Sequence, residues 1–128
     1  MRADLTRHGL EEARTPEDVD RLLAPGSGSV LMVVNSVCGC AAGRARPAVG
    51  LALQHPTRPS RAATVFAGGD EAAVARLRNL LQAYPPSSPS IALFQDGQPV
   101  YMLHRGDIEQ RRPEDIADLL TAAFDRFC

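Results

Sequence analysis

Two cysteines separated by one residue, Cys38-Gly39-Cys40, are the side chains of greatest chemical potential in this 128-residue chain. A thiol pair this close can exchange disulfides, contribute to a metal site, or be small buried apolar groups. One further cysteine, Cys128, makes the total odd and small, unlike a secreted disulfide scaffold. In a reducing compartment the pair points to redox or metal chemistry. A metal-binding carrier would have to recruit His55, His104 or Cys128, because a structural zinc takes about four ligands and no second close pair exists. No metal ligand is therefore assigned, and His8, His55 and His104 read as scattered surface or strand-end residues.

The address of the pair favours redox chemistry. Val30-Leu31-Met32-Val33-Val34 is apolar throughout, as suits a central strand covered on both faces. Ala41, Ala42, Ala45, Ala48, Val49 and Ala52 predict a helix to about Gln54, kinked by Pro47. Between them, free backbone N–H groups and the positive end of the helix dipole favour a thiolate. The dipole supplies about 0.3–1 kcal/mol and one pKa unit needs about 1.36, so Cys38 drops by less than a unit unless N–H groups bond the sulfur directly. Cys38, on the loop side, is the expected nucleophile. Cys40, one step into the helix, is the expected resolving thiol. A disulfide between residues two apart closes a small strained ring, predicting a more oxidising couple than that of a Cys-x-x-Cys reductase. Such a couple suits isomerisation or mixed-disulfide chemistry.

The remaining elements frame that turn. Thr15-Pro16-Glu17-Asp18 opens a helix with Val19, Leu22 and Leu23 on one face, and Pro25-Gly26-Ser27-Gly28 breaks it. A short strand centres on Val65 and Phe66, and Gly68-Gly69-Asp70 turns into a helix with Asp70 as its natural N-cap and inner stripe Ala73, Val74, Leu77, Leu80 and Leu81. Ile91–Phe94 and Val100–Leu103 flank the hairpin signal Asp96-Gly97. Pro113-Glu114-Asp115 opens a last helix carrying Ile116, Leu119, Leu120, Ala123, Phe124 and Phe127. The order is helix, then β-α-β-α-β-β-α. A crossover helix makes its two strands parallel, and a tight hairpin makes the last two antiparallel. This is the minimal thioredoxin-like α/β layout, a central mixed sheet with helices on both faces. We expect a single domain over 1–128, with 1–28 as an N-terminal helical extension and 29–128 as the core. Ser88-Pro89-Ser90 precedes an apolar strand, where a cis bond at Pro89 would present the Ser88 backbone to an extended substrate.

Composition removes several alternatives. Basic and acidic side chains number 14 and 15 and are interspersed, so no field argues for nucleic acid or an anionic membrane. Every one of those basic residues is Arg, which excludes a Lys-dependent phosphate loop and a Schiff-base lysine. Met1 to His8 contains no apolar leader core, and no segment approaches the roughly 18 apolar residues of a membrane span. A cytoplasmic location without membrane contact is expected.

The stretch Val34-Asn35-Ser36-Val37-Cys38-Gly39-Cys40-Ala41-Ala42-Gly43, followed by Arg46-Pro47-Ala48, resembles the signature of the bacilliredoxin family. The similarity continues through Thr64–Gly68, Pro86–Leu93, Ile108-Glu109 and Ala123–Cys128, most of the chain. It implies a thiol-disulfide oxidoreductase that removes bacillithiol from protein mixed disulfides, with Cys38 attacking and Cys40 as its partner. Asn35, Ser36 and Gly39 would form the supporting loop. Bacillithiol enters as redox co-substrate with no bound cofactor, and the implied partners are bacillithiolated client proteins and a low-molecular-weight thiol or thiol reductase. Protein disulfide isomerisation by the same cysteines is the alternative activity the resemblance carries. The N-terminal segment is shorter than the family usually has, and Arg105-Gly106-Asp107 replaces a stretch that commonly has His after the Arg.

Overall fold

Seven consecutive residues, Ser29–Asn35, form β2, and every one is buried. The apolar run required this, because neither face of such a strand can be left to water. The computed structural model, which describes residues 2–39 and 41–128, places β2 third in a five-stranded sheet of order β1-β3-β2-β4-β5. Here β1 is Glu11–Glu12, β3 Arg61–Phe66, β4 Ser90–Gln95 and β5 Gln98–Leu103. β2 pairs in parallel with β3 and antiparallel with β4, and β4 with β5 antiparallel. The sheet is mixed, as crossover and hairpin demanded.

Alternate side chains of β2 serve two cores. Leu31 and Val33 face a layer built by α1 (Ala3–Thr6), α3 (Arg46–Ala52), α5 (Arg105–Glu109) and α6 (Pro113–Phe127). Val30, Met32 and Val34 face α2 (Pro16–Leu22) and α4 (Glu71–Leu80). In α6, Ile116, Leu120 and Phe124 are wholly buried, the stripe expected from spacings of four. Each such side chain contributes about 1.5–3 kcal/mol through burial.

Local chemistry fixes the element ends. The Thr15 hydroxyl accepts the Asp18 N–H at 3.1 Å, capping α2, and Pro16 occupies the first turn. At the β4–β5 hairpin Asp96 and Gly97 have φ of 50° and 82°, the left-handed pair of a tight turn. A Cβ on Gly97 would lie 2.5 Å from the Leu23 carbonyl oxygen, so close approach also requires glycine there.

Four details depart from the sequence reading, the first being α5, a short helix between β5 and α6 that the expected element order lacks. Residues 11–12 join the sheet edge beside β3, and Leu5 and Leu10 of the N-terminal segment lie in a core. Around Pro47 there is no simple kink within one helix: a π-helical turn, Ala41–Ala45, precedes α3, and Pro47 falls in the first turn of α3. Widening the preceding turn accommodates the missing N–H and the ring that would strike the carbonyl four residues back. Asp70 stands at the N-cap position of α4, yet its carboxylate makes no cap bond. It instead accepts two bonds from Arg2, at 2.8 and 2.9 Å, and one from the Phe66 N–H at 3.2 Å.

Candidate active site

At the end of β2 the chain passes from core to surface within four residues. Asn35 and Ser36 are buried, Val37 is 67% exposed, Cys38 is half-buried and Gly39 is exposed. The expected resolving residue, Cys40, lies outside the described residues. The Cys38 carbonyl accepts the N–H groups of Ala41 and Ala42, each at 3.1 Å, so Cys38 stands where the helical path begins.

The sulfur is met by a hydroxyl. Ser36 Oγ–H donates to Cys38 Sγ at 3.2 Å, and the same oxygen accepts the Cys38 N–H at a longer 3.5 Å. Asn35 Oδ1 accepts the Ser36 N–H at 2.9 Å. Asn35 and Ser36 thus build a hydrogen-bonded turn beside the thiol. A Cβ on Gly39 would meet no described atom within 4 Å.

Beneath the turn lies Arg46, only 5% exposed. Its Nη1 donates to Asn35 Oδ1 at 3.2 Å and to the Ser36 carbonyl at 3.0 Å. Its Nε is 3.1 Å from Asp4 Oδ2, an ion pair whose angle falls short of a hydrogen bond. Sequence reasoning saw Arg46 only as part of a motif. No local pattern marks it, since its partners Asn35, Ser36 and Asp4 lie in other segments.

The second loop arrives at the same end. Val34 pairs with Ser90, so the residues following β2 and those preceding β4 leave the sheet side by side. The Ser88–Pro89 peptide is cis and Pro89 is buried. The Ser88 carbonyl accepts Arg105 Nη1–H at 3.3 Å, and Ser87 Oγ accepts the Arg105 N–H at 3.2 Å. Next to this loop a cleft of about 400 Å³ is lined by Val34, Leu81, Tyr84, Pro86, Ser90 and Met102, among others.

The donors considered for a metal do not gather around Cys38. Cys128 interacts with Ser29, at the start of β2, and six strand steps of about 3.3 Å separate Ser29 from Asn35. His55 Nε2 pairs with Asp125 Oδ1 at 2.9 Å near that far end. His104 is at the near end, where its N–H donates to the Asp107 carboxylate at 3.0 Å at the start of α5. Among the described residues no group of three His, Cys, Asp or Glu side chains is arranged to hold a metal ion.

Comparison with known proteins agrees with this geometry. Solved structures of similar fold include a thioredoxin of Fasciola hepatica, with a TM-score of 0.65 at 17% identity, covering 93% of this chain and all of that one. A thioredoxin-like protein of Edwardsiella tarda gives 0.62 at 20% identity, covering 86% and 97%. These likenesses show the fold. A family model described as disulphide isomerase matches residues 1–128. The chain is a thiol-disulfide oxidoreductase of thioredoxin fold. A protein named bacilliredoxin from Koribacter versatilis is 51% identical over 128 residues, all of this chain and 88% of that protein. Another from Geobacillus kaustophilus is 48% identical over 127 residues, covering 99% and 87%. The chain belongs to the bacilliredoxin family.

Proposed function

We propose that this protein removes bacillithiol from protein mixed disulfides, with Cys38 as attacking thiolate and Cys40 as its resolving partner. The observation that carries the reading is the Cys38 sulfur at the start of a helical path with a hydroxyl donor 3.2 Å away. The Cys38 thiolate attacks the bacillithiol sulfur, a Cys38–bacillithiol bond forms, and the client leaves as its thiolate. Cys40 then attacks Cys38, expels the bacillithiol thiolate and leaves a Cys38–Cys40 disulfide. A second low-molecular-weight thiol attacking the bacillithiol sulfur instead would release Cys38 and carry bacillithiol away as a disulfide. A dithiol reductase would reset the oxidised pair. Ser88 and Pro89 would line the client's path, and the Val34–Met102 cleft would accept an apolar client side chain. The reaction belongs in a reducing cytoplasm, and no helix among the described residues is long and apolar enough to cross a membrane.

The test is mass spectrometry of a bacillithiolated client mixed with wild type, Cys38→Ala or Cys40→Ala. The expected result is loss of client adduct with wild type, an adduct trapped on Cys38 in Cys40→Ala, and no transfer in Cys38→Ala. Full activity of Cys38→Ala would refute the assignment. Isomerisation of protein disulfides by the same cysteines is the second reading, favoured by the description of the matching family model. Reactivation of a scrambled disulfide protein without any small thiol would select it.

A further inference from the structure

We propose that Arg46, held from behind by Asp4, is the positioning residue that sets the charge state and orientation of the Cys38 sulfur through Asn35 and Ser36. This rests on Cys38 being the attacking thiol.

Arg46 opens α3 directly after the π-helical turn Ala41–Ala45, and helical side chains tilt toward the N-terminus. The guanidinium is thereby returned beneath the loop. Its Nη1 bonds, to Asn35 Oδ1 and the Ser36 carbonyl, fall on the two residues that aim the hydroxyl at the sulfur. Asn35 Oδ1 gathers both Nη1 and the Ser36 N–H, so Ser36 is tied at its N–H and its carbonyl. Only its hydroxyl rotor remains to be set, and the sulfur 3.2 Å away is its acceptor.

The charge is not fully answered. A guanidinium 5% exposed needs compensation to be tolerated. Asp4 supplies it incompletely, because the same carboxylate is 36% exposed and also accepts Arg7 Nη2–H at 2.8 Å. A cleft of about 400 Å³ between α1 and this helical face is lined by Asp4, Arg7, His8 and Arg46. The remaining positive potential points at the turn, where it favours thiolate over thiol. Other charged or titratable groups stand on the elements packed against the loop. They are Arg44, which donates to the Arg111 carbonyl, then His104, Arg105, Asp107 and Glu109 at α5, Arg111 and Arg112 between α5 and α6, and Glu114, Asp115 and Asp118 of α6. All of these reach solvent and are screened, which leaves Arg46 as the buried charge among them.

The experiment follows the pH dependence of iodoacetamide alkylation in reduced full-length protein, with the adduct localised to Cys38 by fragmentation. Arg46→Met is expected to raise the midpoint by about one pH unit and slow alkylation several-fold at neutral pH. Arg46→Lys, which keeps a charge without the planar fork, should recover roughly half of that difference. Asp4→Asn removes the opposing carboxylate and should move the midpoint the other way, down by about 0.3. An arginine with a packing role alone does not give opposite signs for its two partners. A folded Arg46→Met with the wild-type midpoint would overturn the proposal. If Arg46→Met fails to fold, Asp4→Asn decides: a lowered midpoint supports the coupling and an unmoved one rejects it. In wild type, a Cys38 no faster than Cys128 would refute the function proposed above. A fast Cys38 indifferent to both charges would refute this inference alone.

Discussion

Cys38 and Cys128 are the same side chain at opposite ends of one sheet, each with a serine beside its sulfur, and their surroundings otherwise differ. Cys38 follows β2 and opens a helical path, with the Ser36 hydroxyl directed at its sulfur and a buried guanidinium beneath. Cys128 closes α6, at the negative end of that helix, with its N–H on the Phe124 carbonyl at 2.8 Å. Although the terminal residue is exposed overall, desolvation of its sulfur pushes the thiol above its ordinary value, and a hydrogen bond with Ser29 offsets this in part. The reactivity proposed for Cys38 is thus a property of position in the fold, since exposure alone would rank the terminal thiol first.

The largest effect expected from this contrast is all or none. Cys38→Ala abolishes transfer of a small-thiol adduct while Cys128→Ala leaves it unchanged, as read by intact mass; equal losses would erase the distinction. Next, at neutral pH Cys38 alkylates about ten-fold faster than Cys128, the ratio that one pKa unit between thiols would give. Peptide-resolved iodoacetamide kinetics measure it.

The comparison holds only if the frame survives the titration range, which Asp70 tests. Its hydrogen bonds from Arg2 hold the carboxyl below the usual carboxylate range. A carboxyl lowered in the folded state stabilises above its unfolded pKa, near 3.9, and that stability is lost as pH falls through the folded value. Melting temperature should therefore fall below about pH 4, well clear of thiol titration. Asp70→Asn should cost about 1–3 kcal/mol at neutral pH and flatten that acid limb. Thermal melts across pH check both. The smallest effect is Ser36→Ala: loss of one hydroxyl donor to the sulfur is worth about 1 kcal/mol, or about five-fold in alkylation of Cys38, with Cys128 unaffected.

Where the sequence was legible, one dominant physical signal stood alone. The uninterrupted apolar run of β2, the four-residue spacing in α6 and the Asp96-Gly97 turn each admit one structure. Where it was not, the signal was tertiary. β1 is two glutamates with no apolar pattern, made a strand by pairing with Ala63 and Thr64. α5 contributes one buried side chain, Ile108, too little for periodicity to register. Asp70 was recognisable as a helix start, but its bonding to Arg2, 68 residues away, required the folded chain.

By itself the sequence determined that Cys38 sits between a covered strand and a helix, because local hydrophobic pattern and small-residue spacing suffice to place that turn. Only the tertiary structure decided what surrounds Cys38. Arg46 and Asp4 meet beneath its turn, and the Ser88–Pro89 loop leaves the sheet at the same end, because strand register and helix packing bring distant segments together, and no local pattern encodes such a meeting.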